Sequence, residues 1–235
     1  MDRHKTPPQP ASLTAPFAHR APRPVQSAAE QSPALSAEEE GLVIGITGGT
    51  GCGKTTLLNV IRERGGLVFD CDAIYHERLK TDKKLLSDIE SRFPGTVKDG
   101  ILQRKLLGQI VFPDCSALED LNAITHGAVR QEVGRRLAAA KPRLAAIDAI
   151  ALFESGLSSF CQITVAVTAP LEDRVLRLMQ RDGISEAYAR NRIAAQHQED
   201  WFRARCDCIL ENNGTAVQFY DKCIAFLAEH AIIKV

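Results

Sequence analysis

Leu42-Val43-Ile44-Gly45-Ile46-Thr47-Gly48-Gly49-Thr50-Gly51-Cys52-Gly53-Lys54-Thr55 decides the fold. Its last eight residues fit G-x-x-x-x-G-K-[ST], a loop that cradles the phosphates of a nucleoside triphosphate. The apolar run Leu42 to Ile46 reads as a buried strand. Thr56 to Arg64, with Leu57, Leu58 and Ile61 on one face, reads as a helix. The chemistry needs this order of strand, glycine turn and helix. Glycines let successive N–H groups turn inward onto a phosphate, and the helix N-terminus adds partial positive charge. Lys54 is then placed to reach the β- and γ-phosphates, and the Thr55 hydroxyl to bind Mg²⁺.

Composition bounds the rest. The chain has 235 residues, with 29 Lys and Arg against 29 Asp and Glu. A formal charge of zero gives no sign of a general nucleic-acid or acidic-membrane binder. No apolar run approaches the ~18 residues that a membrane span requires. Seven cysteines at irregular spacing argue against a disulfide framework and for a reducing compartment, hence a cytoplasmic protein. Cys206-Asp207-Cys208 lacks the second pair that a zinc site wants. Residues 1–40 hold seven of the eleven prolines and no periodic apolar face, so they read as a disordered tail, with the domain running from 41 to 235.

Downstream, Leu67-Val68-Phe69 reads as a second strand ending in Asp70-Cys71-Asp72. Carboxylates at a strand's C-terminal end sit where open α/β sheets bind ligands. One of them would accept a proton from an attacking hydroxyl or orient it, with Asp72 the first candidate. The competing role for Asp72 is N-cap of a helix over Ala73 to Leu79. Residues 82–140 read as helical, and 76–140 as an acceptor-binding insertion carrying Arg104 and His126. Leu144 to Asp148 reads as the strand beside the first, with the Asp148 carboxylate on the Mg²⁺ side. Ile163 to Val167 and Cys208 to Leu210 complete five strands. Strands alternating with helices predict a five-stranded parallel sheet flanked by helices, an α/β phosphate-loop fold. Between the last two strands, residues 171–200 read as an arginine-rich lid. Arg174, Arg177 and Arg181, three and four apart, share one helix face and are expected to clamp transferring phosphoryl oxygens.

Taken in order, these elements resemble the dephospho-coenzyme A kinase family over everything from about Gly41 onward. The resemblance rests on the loop Gly48 to Thr55, the D-x-D element Asp70-Cys71-Asp72, and Leu102-Gln103-Arg104 running to Val111-Phe112. It continues through Leu121-Asn122 to His126, Ala149 to Glu154, Arg177 with Arg181-Asp182-Gly183-Ile184-Ser185, Arg192 to Gln196, and the turn Asn212-Asn213-Gly214. The resemblance implies that ATP, with Mg²⁺, phosphorylates the ribose 3′-hydroxyl of dephospho-coenzyme A, giving coenzyme A and ADP. It further implies that Gly51, Cys52, Gly53, Lys54, Thr55 and Thr56 hold the nucleotide phosphates, with Thr55 on the metal and Asp72 or Asp148 reaching it through water. Asp70, Arg104 and His126 would face the acceptor. Lys54, Asp72, Asp148 and Arg181 would serve the chemistry. Arg177 would bind ATP, and Gly214 would approach the adenine. A small-molecule partner and a monomer or weak homo-oligomer are expected. Three positions depart from the family pattern: Ala149-Ile150-Ala151 stands where proline usually begins the segment, Gly127 follows His126 in place of proline, and Arg174 stands where glutamine is frequent. None removes a charge or carboxylate that phosphoryl transfer needs.

Another small-molecule kinase would share the loop and lid and differ in the insertion. A guanine-nucleotide switch would want N-K-x-D, which is absent. A silent scaffold would have no use for an intact Lys54, Thr55, Asp72 and Asp148. Cys52 lies at a helix N-terminus, where a thiol tends to a lowered pKa: either its oxidation or capping blocks nucleotide binding, or it simply fills a small position of the loop.

Overall fold

The computed structural model describes residues 41–230, so the tail expected over 1–40 lies outside the described residues. Strand β1 (Leu42–Thr47) is followed by the glycine loop and helix α1 (Lys54–Glu63). Next come β2 (Leu67–Asp70), α2 (Cys71–Thr81) and α3 (Lys83–Arg92). A small hairpin, β3 (Val97–Lys98) and β4 (Ile101–Leu102), leads into α4 (Arg104–Val111) and the long α5 (Cys115–Ala140). Then follow β5 (Leu144–Asp148), β6 (Ile163–Thr168), α6 (Leu171–Asp182), α7 (Glu186–Ala194), the short α8 (Glu199–Arg203), β7 (Cys208–Glu211) and α9 (Ala216–His230).

Among the described residues the main sheet has five strands in the order β2-β5-β1-β6-β7, each neighbouring pair parallel. The phosphate-loop fold expected from the sequence is therefore present. Alternation along β1 divides the core. Ile44 and Ile46 pack with Leu57, Leu58 and Ile61 of α1 and Phe219, Phe226 and Leu227 of α9. Val43 points the other way, to Ile74 of α2, Val129 and Val133 of α5, and Leu152. Burial on both faces is why β1, β5 and β6 are near-continuous apolar runs rather than alternating ones.

The insertion has its own core. Leu85, Leu86 and Ile89 of α3 meet Leu107 and Val111 of α4 and Leu121 of α5, around Phe93. It is not wholly helical, as the sequence reading had it. Asp99 and Gly100 both adopt positive φ, 51° and 74°, and turn the chain between β3 and β4. Two central residues with φ > 0 are what a tight hairpin turn demands. The lid is a separate small unit in which Val175 and Leu178 of α6 close on Ala189 and Ile193 of α7.

Candidate active site

The glycine loop sits at the C-terminal end of β1, the central strand. Gly53 precedes α1 at φ 102°, a conformation that favours glycine, and a Cβ there would lie 2.4 Å from Asn212 Nδ2. Asn212 is buried and donates through Nδ2 to the Cys52 carbonyl at 2.8 Å. On the lid side, Arg174 Nε donates to the Thr50 carbonyl at 2.9 Å, and Arg177 Nη1 to the Gly51 carbonyl at 3.1 Å. Three successive carbonyls are thus drawn outward by side chains from α6 and from the turn after β7. Peptide planarity then sets the following amides on the opposite side: that of Cys52 donates to the Gly49 carbonyl at 3.4 Å, and those of Gly51 and Gly53 are left to the loop's interior, where an anion would sit. Lys54 Nζ donates to the Gly48 carbonyl at 2.9 Å, spanning the loop.

The carboxylates lie beside it. Parallel register pairs Asp70 with Asp148 and Ile46 with Asp148, so β2 and β5 end together next to the loop. Asp70, and not Asp72, caps α2: its carboxylate accepts from the Ala73 N–H at 2.9 Å. The capping role considered for Asp72 is therefore corrected. A cap needs an extended residue just outside the helix, which Asp70 supplies, whereas Asp72 is in the first turn. Asp72 stands at the lip of the crevice, exposed by area but with protein around its carboxyl. Desolvation and the charge of Asp70 push its pKa up, while Lys54 and His76 pull it down. Asp148, half-buried, is raised chiefly by desolvation, against Lys54 and with Asp70 and Asp72 adding. Lys54, Asp70, Asp72 and Asp148 therefore act electrostatically on one another.

On the insertion side, Arg104 opens α4 with Nη2 3.3 Å from His76 Nδ1, one turn after Asp72. His126 is half-buried on α5. Burial lowers its pKa, and the charge of Glu154 opposes that. Glu154 also meets His197 Nε2 at 2.7 Å, and the His197 ring stacks on Trp201 at 3.8 Å. Of the lid arginines expected on one face, Arg174 and Arg177 reach the loop, whereas Arg181 pairs with Asp182 at 2.7 Å. Arg181 ends α6, and Arg192 of α7 shares the same Asp182. Thr55 and Thr56 occupy the first turn of α1, and Gly214 follows Asn212 and Asn213 in the turn beside the loop.

Of the two readings for Cys52, its placement fits the space-filling one. It is 2% exposed, and desolvation raises its pKa against the pull of Arg174 and Lys54. Its side chain packs with Leu57, Leu58 and Phe219 instead of facing the anion site, so the helix N-terminus does not activate it. Sequence reasoning passed over Gln196 as a loop contact, Asn212 as a clamp, and the Glu154–His197–Trp201 cluster. Except for the His197–Trp201 stack, these are contacts between residues 43 to 160 positions apart, which no local periodicity announces.

A family model for dephospho-CoA kinase matches residues 42–218. The dephospho-CoA kinase of Anaeromyxobacter dehalogenans (strain 2CP-C) is 40% identical over 192 residues, covering 80% of this chain and 91% of that protein. The crystal structure of TT1252 from Thermus thermophilus matches with a TM-score of 0.70 at 34% identity, covering 81% of this chain and 98% of that one. The dephospho-CoA kinase from Campylobacter jejuni matches with a TM-score of 0.57 at 25% identity, covering 80% and 96%. Sheet order, loop and lid together define a phosphate-loop kinase. Within that class, the chain belongs to the dephospho-CoA kinase family.

Proposed function

We propose that this chain transfers the γ-phosphoryl group of ATP to the ribose 3′-hydroxyl of dephospho-coenzyme A, with each residue acting as follows. Gly51, Cys52 and Gly53 present backbone amides to the β- and γ-phosphates, and Lys54 and Thr56 complete their binding. Asp72 accepts the proton of the 3′-hydroxyl as it attacks. Its raised pKa suits a base better than an ordinary aspartate would. Asp70, already committed to the cap, orients the acceptor from the side, with Arg104 and His126 further out on the insertion. Arg177, and Arg181 once released from Asp182, neutralise charge spreading over the transferred group. Gly214 lies against the adenine, where a side chain would intrude.

Among the described residues no cluster of three or more His, Cys, Asp or Glu is arranged to hold a metal alone. The donors beside the loop are all oxygens: Thr55 Oγ1, Asp148 and Asp72. That set fits Mg²⁺, which commonly takes one or two protein oxygens and completes its shell with phosphates and water. Thr55 would hold it directly, and Asp148 or Asp72 through water. When bound it would screen phosphate charge. The protein is proposed to act in the cytoplasm as a monomer or weak homo-oligomer, without nucleic-acid or membrane partners. No helix among the described residues is long and apolar enough to cross a membrane.

The observation that carries this reading is the convergence of Lys54 with Asp70, Asp72 and Asp148 beside a loop whose Thr50, Gly51 and Cys52 carbonyls are held by side chains from α6 and the turn after β7. The test is ADP release from Mg-ATP with dephospho-coenzyme A, run beside adenosine, uridine, gluconate and shikimate. Turnover with dephospho-coenzyme A alone, lost in Lys54→Ala, is expected. Turnover with another acceptor would overturn the acceptor assignment, and ATP binding without turnover would overturn the kinase reading.

A further inference from the structure

The two peptide groups that flank Thr50 in the glycine loop are each held by a side chain of the lid. The Thr50 N–H donates to Gln196 Oε1 at 2.8 Å, and the Thr50 carbonyl accepts from Arg174 Nε at 2.9 Å. Arg174 Nη2 lies 3.3 Å from that same Gln196 oxygen, which closes a ring of three contacts. The guanidinium also lies against Gly49, where a Cβ would come within 2.2 Å of Nη2. Arg174 is in the first turn of α6, and Gln196 follows the end of α7. The two therefore mark the points where the chain enters and leaves the lid. Between them the lid is a rigid unit, because Val175, Leu178, Ala189 and Ile193 form one small core.

We propose that Arg174 and Gln196 are positioning residues: a latch that fixes the backbone on both sides of Thr50 and so couples the lid's position to the loop's readiness to bind phosphate. With both backbone polar groups of Thr50 committed, the Thr50 N–H does not itself bind phosphate. It sets the direction of the chain entering Gly51, Cys52 and Gly53. The latch rests on reading residues 48–55 as a phosphate loop. It differs from a phosphate clamp, in which an arginine would act by its charge. Here Arg174 acts chiefly by the shorter N–H bond at Nε, with the longer Nη2 contact to Gln196 secondary, and Gln196, which carries no charge, matters equally.

The distinction is testable. The Nε2 of a glutamine lies the same number of bonds from Cα as the Nε of arginine. Arg174→Gln can therefore keep the bond to the Thr50 carbonyl, whereas Arg174→Met cannot. ATP affinity is measured by titration calorimetry on the full chain, with thermal melting as a check on folding. Arg174→Met and Gln196→Met are each expected to weaken ATP binding about tenfold. The double variant is expected to be no weaker than either single one, because both break the same ring. Arg174→Gln is expected to stay near the parent, and the KM for dephospho-coenzyme A to be unmoved throughout. Equal losses in Arg174→Gln and Arg174→Met would overturn the latch in favour of charge. So would additive losses in the double variant, or parental ATP affinity in Gln196→Met. If the parent bound no ATP, or bound it equally in Lys54→Ala, the reading of the loop itself would fail.

Discussion

Asp148 is where function and stability oppose each other within one residue. It closes β5, half-buried, with Asp70 beside it in register and Asp72 within electrostatic range. Lys54 offsets part of this, but the net direction of its pKa is upward. The sign follows from proton binding. A carboxyl whose folded pKa is raised holds its proton more tightly in the native state than in the unfolded chain. Above the ordinary aspartate range the native state must carry a charge it disfavours, and stability falls as pH rises through that window. Asp148→Asn is accordingly expected to raise the melting temperature of the nucleotide-free protein at pH 7 by about 2–4 °C. The gain should shrink as the pH is lowered toward the ordinary aspartate range, because the raised pKa lets the native carboxyl take up its proton first. Turnover should fall in the same variant, as is common when a strained polar group serves chemistry. Melting curves of both proteins across that pH range are the check, and a variant less stable than the parent at pH 7 would sink the argument. Asp148 was legible in the sequence because an apolar run ending in a carboxylate marks the crevice edge of an α/β sheet. The role of Asp70 was not, because two aspartates two residues apart compete for one cap. Backbone geometry alone decides between them, with Asp70 extended at φ −80° and ψ 105°.

At the scale of elements, the helices of the insertion are fastened to one another around one buried carboxylate. Glu132 of α5 is 4% exposed and accepts from Arg135 at 2.7 Å and Arg136 at 2.7 Å. Arg78 of α2 lies 3.6 Å away and also pairs with Asp82, the cap of α3. Arg136 reaches Glu77 of α2 as well. α2, α3 and α5 therefore meet on a network whose central charge is removed from water. The bonds from Arg135 and Arg136 outweigh desolvation and hold the Glu132 pKa down to about 2. Its contribution is then present above the ordinary glutamate range and lost as pH falls through that low value. Glu132→Gln leaves three guanidinium groups facing a neutral amide, and breaking a buried pair in this way costs about 3 kcal/mol. Urea unfolding at pH 7 should show that loss, and the difference from the parent should narrow below about pH 4. An unchanged midpoint at pH 7 would mean that solvent already screens the network. Long amphipathic elements such as α5 were readable from their spacing. The β3–β4 hairpin was not read, although Asp99-Gly100 between two short apolar pairs is a strong turn signal. The local pattern was carried by neighbours with helical spacing, and a two-residue strand gives almost no period of its own. α8 was missed for a similar reason. Five residues around Trp201 are held by the His197 stack, by Arg205 over the ring at 4.4 Å and by Phe153 at its edge.

For the molecule as a whole, sheet, loop, insertion and lid all close on one another within residues 41–230. The first strand is tied at its start, where the Leu42 N–H donates to the Arg143 carbonyl at 3.0 Å. Space there is tight: a Cβ on Gly41 would fall 1.7 Å from the Pro142 carbonyl oxygen. The far end is tied as well, since α9 packs Phe219, Cys223, Phe226 and Leu227 onto α1 and β1. Among the described residues, phosphate loop, carboxylates and latch are held by contacts with residues from Leu42 onward, and none of the proposed steps draws on an earlier residue. A chain of residues 41–235 is therefore expected to fold, and to match the full chain in melting temperature, in kcat, and in KM for both ATP and dephospho-coenzyme A to within about twofold. Both proteins would be compared in parallel at equal concentration. Parental melting with a raised KM for either substrate would show that residues 1–40 reach the site. A lowered melting temperature would show that they complete the core. Either result would break the division at residue 41. Unchanged values on every count would leave the kinase reaction wholly to the sheet domain, its insertion and its latched lid.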